Sequence, residues 1–250
     1  MSKRSYGLSP TPPSAATLWY LAAQPFPSVN AAAPRVPSAD LRPHMPPVYD
    51  QLHLGSCTAN ALCAVMQFLD ATQGSRLFLY YNERALEGDP SQDAGATLAD
   101  GIRALKTSGV CSEAEWPYDA DRFALKPLAS CYEAALKHEA LSVYSVPLTL
   151  AGLRGALTLG YPVAVGIAVY ESFEGPSAAA TGVVPHPAPS EKYLGGHAVV
   201  AVGFDDDAHT FLMRNSWGPG WGMKGYFTLP YAYLTDPQLA FDAWVVLTAT

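Results

Sequence analysis

The sequence predicts an α+β protein of two lobes. Three observations carry this: apolar residues at helical spacing through the first half, a series of β-prone runs after Pro162, and a proline-laden stretch ahead of both. Residues 1–47 hold ten of the 22 prolines, so this stretch lacks ladder donors and is expected to be extended. It carries one apolar cluster, Leu18-Trp19-Tyr20-Leu21, followed by Phe26, which is expected to dock on the folded part of the chain. From Gly55 the pattern turns helical. Ala61, Leu62, Val65, Met66 and Leu69 form a stripe that buries one helix face, with Ser56 as N-cap. Further helices are expected over 77–86, 97–108 (closed by Gly109), 130–140 and 149–159. Strands are expected over 163–169, 197–204, 210–214, 225–229 and 243–247, each bounded by Gly, Pro or Asp. This divides the chain into a proline-rich segment, 1–37, and a folded domain, 38–250. Within the domain, 55–145 is mainly helical, and 38–54 with 146–250 mainly β.

A chain of 250 residues with 49% apolar composition can bury a full core. A net charge of −7 and a pI near 5.3 leave no basic patch, which argues against nucleic acid as a partner. No stretch approaches the roughly 18 consecutive apolar residues of a membrane span. The apolar run 15–23 follows Pro10, Pro12 and Pro13 and lies far from Ser2-Lys3-Arg4, so it reads poorly as a signal peptide. The expected location is cytoplasmic, or outside by a route without a cleavable signal.

The chemistry is concentrated in three runs: Gln51-Leu52-His53-Leu54-Gly55-Ser56-Cys57, Gly195-Gly196-His197-Ala198, and Arg214-Asn215-Ser216-Trp217-Gly218. A thiol, an imidazole and a carboxamide in that order are the parts of an activated cysteine nucleophile. His197 follows Cys57 by 140 residues and Asn215 follows it by 158, close to the roughly 130–150 of one such pattern. A thiol with a pKa of about 8.5 is only a few per cent ionised at neutral pH. The start of a helix and a facing imidazolium both lower that value, and His197 would then serve as general acid and base. Cys63, roughly 240° further round the same helix, is expected in the core. His53 is the rival imidazole and reads as a surface or rim residue. Gly195 and Gly196 leave room for a substrate backbone.

Together these runs resemble the papain family of cysteine peptidases. The resemblance covers roughly residues 38–235. It implies a papain-like two-lobe fold, with a helical left lobe, a β-barrel-like right lobe and the active site in the cleft between them. It gives Asn215 the task of orienting His197, Trp217 that of shielding their hydrogen bond, and Trp221 a place on the leaving-group side. Gln51 stands where the family has its oxyanion-hole glutamine, to act with the backbone N–H of Cys57; one such donor is worth roughly 3–4 kcal/mol. Ala94 and Gly95 match the family's substrate-binding glycine pair, with Ala94 departing from it. Gly166 and Ala198 are expected to line an apolar pocket for the substrate, beside the backbone room left by Gly196. Leu54 stands where secreted relatives carry a disulfide cysteine, which favours a reducing compartment, with Cys111 and Cys131 as buried thiols. Thr58 replaces the usual aromatic residue after the nucleophile. These departures point to a divergent prokaryotic branch similar to xylellain-type enzymes. The family's long helical prodomain has no counterpart, which leaves the N-terminal segment to restrain the enzyme.

The function implied is a cysteine endopeptidase acting through a Cys57 thioester on peptide or protein substrates, without cofactor or metal. The alternatives are another acyl transfer on the same residues (an acyltransferase, deamidase or amidase) and a binding protein that has lost activity.

Overall fold

The computed structural model describes residues 6–12 and 36–249. The apolar cluster at 18–21 and Phe26 lies outside the described residues. Helix α1 (Cys57–Asp70) is the axis of the helical lobe. It is buried on every side from Cys57 to Met66, not on one face as its stripe suggests. The reason is its position between α2 (Arg76–Glu87) and α3 (Leu98–Thr107) on one side and the sheet on the other. Ser75 Oγ caps α2 by accepting from Phe78 N at 3.0 Å, and Thr97 Oγ1 caps α3 by accepting from Asp100 N at 3.0 Å.

The helix expected over 130–140 ends early. Helix α4 spans Ala129–Ala135, and strand β2 begins at Ala140 and runs to Ser145. The helix closes in a turn at residues 136–139, where His138 N donates to Ala135 O and His138 O accepts from Val110 N. The β2 backbone joins β7 (Ala240–Ala249), with Val143 opposite Val246 and Tyr144 opposite Val245. Strand β2 thus occupies the end of the stretch 55–145 that is expected to be mainly helical. Helix α5 (Leu150–Thr158) matches its expectation within a residue.

The sheet is antiparallel, in the order β2–β7–β3–β4–β5–β6, with β1 added on β4. Its other members are β1 (Ser38–Asp40), β3 (Val163–Tyr170), β4 (Tyr193–Asp205), β5 (Thr210–Arg214) and β6 (Tyr226–Pro230). Among the described residues it stays open, since its ends β2 and β6 do not pair, so the barrel-like closure expected of this lobe is absent. Both faces are covered, which explains why β3 reads as an unbroken apolar run. Ala164, Val200, Trp244 and Val246 pack toward α1, whereas Val165, Ile167, Val199 and Val245 join a second core with Leu153 and Leu157 of α5. The helical lobe and sheet thus form an α+β two-lobe body, with the N-terminus of α1 facing one end of β4.

Candidate active site

Cys57 is the first residue of α1, which puts its sulfur at the positive end of the helix. The loop before it is tied to the β lobe. Gln51 N donates to Ser216 O at 2.9 Å, and Gly218 N donates to Tyr49 O at 2.9 Å. His197 lies on β4, its Nε2 2.8 Å from Asn215 Oδ1. The same Oδ1 accepts from Ser216 N at 2.8 Å. A backbone N–H only donates, so that atom is the carboxamide oxygen, and the His197 nitrogen facing it carries the hydrogen. Nδ1 is then the nitrogen left to exchange a proton.

Trp217 stacks on the imidazole, with centroids 5.0 Å apart and planes 29° apart. Behind it, Trp221 packs on Trp217 at 5.1 Å and stacks on Phe173 at 5.5 Å. Trp221 is buried in this aromatic cluster with Phe227. Gln51 is buried as well. Its Nε2 donates to Leu54 O at 2.8 Å and its Oε1 accepts from Ser216 Oγ at 2.6 Å. The carbonyl partner fixes which end of the amide is nitrogen.

A strap from the chain's own N-terminal region fills the cleft. Leu8 N donates to Gly196 O at 3.2 Å, while Ala96 N donates to Gly7 O at 2.7 Å and Ser9 N to Ala96 O at 3.2 Å. The strap therefore runs antiparallel to Gly196 and parallel to Ala96. Only glycine fits at the crossing points. A Cβ at Gly7 would lie 1.9 Å from Gly55 O, one at Gly95 would lie 1.7 Å from Gly7 O, and one at Gly196 would lie 2.3 Å from Leu8 O. The Leu8 side chain fills the space over Gly166 beside Phe241, whose ring would be 2.7 Å from a Cβ there. The Tyr6 ring stands edge-on to His197 at 6.2 Å, and its hydroxyl donates to the Glu174 carboxylate. Further along, Thr11 N donates to Asp242 Oδ2 at 2.8 Å.

Burial under the strap pushes the Cys57 thiol up to about 11, although the backbone N–H groups of Ala198, Gly7 and Thr58 pull it down. The sequence expectation of an acidified thiol fails for this covered form because loss of water outweighs those donors. Cys57 and His197 are both fully buried.

Of the expected substrate contacts, Gly95, Gly166 and Gly196 meet the strap, and Ala198 offers its N–H to Cys57. Ala94 is exposed, and the backbone that pairs with the strap beside Gly95 is that of Ala96. His53 is exposed. Cys63, Cys111 and Cys131 are buried free thiols, the last two within hydrogen-bonding reach of each other. The sequence reading did not single out Tyr6, Gly7, Leu8, Phe173 or Phe241. The first three sit in a stretch that announces only extended chain, and the aromatic pair comes from separate elements joined by the fold. No helix among the described residues is long and apolar enough to cross a membrane.

Comparison with known proteins agrees with this geometry. Residues 36–235 match the profile of the papain family of cysteine proteases. The crystal structure of xylellain, a cysteine protease from Xylella fastidiosa, superposes with a TM-score of 0.88 at 36% identity, over 99% of this chain and 98% of that one. An uncharacterised peptidase C1-like protein of Acanthamoeba polyphaga mimivirus is 39% identical over 216 residues, 80% of this chain and 70% of that protein. A gut-specific cysteine proteinase of Caenorhabditis elegans is 33% identical over 142 residues, 56% of this chain and 40% of that one. The chain is a cysteine peptidase and belongs to the papain family.

Proposed function

We propose that Cys57 is the nucleophile of a peptide-bond hydrolysis in which His197 moves the proton, Asn215 orients His197, and Gln51 with the Cys57 N–H binds the oxyanion. The observation that carries this is the fixed orientation of His197. Its Nε2 hydrogen is committed to Asn215 Oδ1, which leaves Nδ1 as the proton carrier. The Cys57 thiolate attacks the carbonyl carbon and the C–N bond breaks as His197 protonates the departing amine. Water, deprotonated by the same imidazole, then attacks the thioester and releases the acid and the thiol. Trp217 over the imidazole keeps the hydrogen bond to Asn215 dry.

The strap is a self-inhibitor held in a non-productive pose. Gly7 turns an N–H toward the sulfur, and its carbonyl is taken up by Ala96 rather than by the oxyanion donors. The pocket that holds Leu8 favours apolar side chains from a substrate, because Gly166 and Phe241 offer no partner for a charge. Leu54 and four free buried thiols support a reducing compartment.

The test is labelling with a thiol-directed epoxide, read by mass spectrometry at all four cysteines. Label at Cys57, and loss of hydrolysis with intact folding in Cys57→Ala, are the expected results. Preferential label at Cys63, Cys111 or Cys131 would overturn the assignment.

A further inference from the structure

We propose that Tyr118 is a positioning residue that shapes the oxyanion hole by tying together the two ends of the loop that carries its donors. This rests on the reading of Gln51 and the Cys57 N–H as oxyanion donors. Ser56 occupies the N-cap position of α1, where a serine ordinarily accepts from the N–H two or three residues on. Here its side chain makes no cap, because its backbone (φ −90°, ψ 26°) lies outside the extended region of a capping residue, and the hydroxyl turns to another partner. Its Oγ lies 2.6 Å from the Tyr118 hydroxyl, which is also 2.9 Å from Gln51 O. A carbonyl oxygen only accepts, so the Tyr118 hydrogen goes to Gln51 and Ser56 donates to Tyr118. One phenol thereby holds both ends of the loop between the two oxyanion donors.

The rest of the assembly fixes the phenol. The Arg76 guanidinium lies 4.0 Å from the Tyr118 ring centroid and 4.7 Å from that of Tyr49. Its Nη1 donates to Asp50 O at 3.2 Å and to Asn60 Oδ1 at 3.3 Å, and Glu113 binds its other edge at 2.5 Å. Asn60 Nδ2 donates to Ser56 O at 2.8 Å and to a lone pair of Ser56 Oγ at 3.1 Å. Burial pushes the Tyr118 phenol up to about 12, so it remains a donor across the working range. The tie holds Gln51 and the Cys57 N–H in place for one developing oxyanion. Without the phenol, the loop between them loses its tether.

Full-length Tyr118→Phe, Ser56→Ala, the double variant and Gln51→Ala are compared in peptide hydrolysis and in affinity for a peptide aldehyde, which forms an oxyanion on the sulfur. A peptidyl epoxide, which alkylates without forming an oxyanion, is the control. Tyr118→Phe is expected to lower kcat and aldehyde affinity by about tenfold, part of the 10²–10³ that loss of a whole donor costs. KM and epoxide inactivation are expected to stay within about twofold. Ser56→Ala, which removes one end of the tie, is expected to lose less, and the double variant no more than Tyr118→Phe, because both changes cut the same tie. No loss of kcat in Tyr118→Phe, an equal loss toward epoxide and aldehyde, or losses that add in full in the double variant would overturn the proposal. Gln51→Ala that leaves aldehyde affinity intact would overturn the oxyanion reading itself and this proposal with it. An effect of Gln51→Ala without one of Tyr118→Phe would overturn the proposal alone.

Discussion

The two walls of the cleft are backed by opposite chemistry. Behind Cys57 the support is charged and hydrogen-bonded. Arg76 lies between Tyr49 and Tyr118 with Glu113 on its edge, and Glu83 accepts from Thr58 Oγ1 at 2.7 Å. Behind His197 it is ring against ring, with Trp217, Trp221, Phe173 and Phe227 packed together. Under the proposed roles, the tasks differ accordingly. Oxyanion donors must be aimed, which calls for directional bonds; an imidazole with one committed hydrogen bond must be kept dry, which calls for apolar cover. The lesson is that a wall's chemistry predicts its mode of failure. The polar wall fails by misdirection and the aromatic wall by unpacking.

Phe173→Ala tests the aromatic wall most severely. It removes a fully buried ring that touches Trp217, Trp221 and Phe227, and is expected to cost about 3–5 kcal/mol in urea unfolding. A loss below about 1 kcal/mol would show that these rings do not pack as a unit. Gly7→Ala acts on the strap that lies against both walls. Its Cβ would meet Gly55 O at 1.9 Å, so the strap leaves and water reaches the thiol now held at about 11. A fall of two pH units toward the ordinary value of about 8.5 raises alkylation at pH 7 by about 100-fold. An unchanged rate in a stopped iodoacetamide assay would mean that the strap is not what buries the thiol.

Glu83→Gln probes the polar wall by pH. Burial holds the Glu83 carboxyl well above its ordinary 4.5, with Glu87 and Asp100 also raising it and Arg84 and Thr58 lowering it. A carboxyl raised in the folded state stabilises fully below its unfolded value and loses that contribution as pH rises. The unfolded chain releases this proton above about 4.5 and the folded one keeps it, so the parent loses stability relative to Glu83→Gln by about 1.4 kcal/mol per pH unit. Denaturant midpoints that stay parallel from pH 5 to 8 would show an ionised Glu83. Arg42→Ala is the distant control: its pair with Asp40 at 2.7 Å, on β1 and the turn after it, is largely exposed. It is expected to change stability by less than about 1 kcal/mol and hydrolysis not at all, read from the same unfolding and peptide assays.

The sequence made legible those features that short runs encode. Gln51, Cys57, His197 and Asn215 each stand in a recognisable local pattern, and helices with a Ser or Thr cap were placed within a residue of their starts. What long-range contacts decide was not legible. The stretch after Ala135 has helical composition and still leaves the helix in a turn, where His138 O accepts from Val110 N, before β2 begins at Ala140 and pairs with β7. Strand β1 is three mainly polar residues whose only argument is the edge of β4. The proline-rich region gave the expectation of a segment docked on the enzyme, drawn to its most apolar cluster. That cluster lies outside the described residues; the described contact comes from Gly7 and Leu8, which offer thinness and one side chain.

The cleft grips a main chain from two sides at once, at Ala96 and at Gly196. A guest must expose amide edges on both flanks, which no residue inside a helix and none inside a sheet can do. For a native protein the governing quantity is then the free energy of locally opening several residues, not the residue sequence at the cut. Flexible loops and partly unfolded chains are consumed first, and among well-folded targets the order of digestion follows their hydrogen-exchange protection.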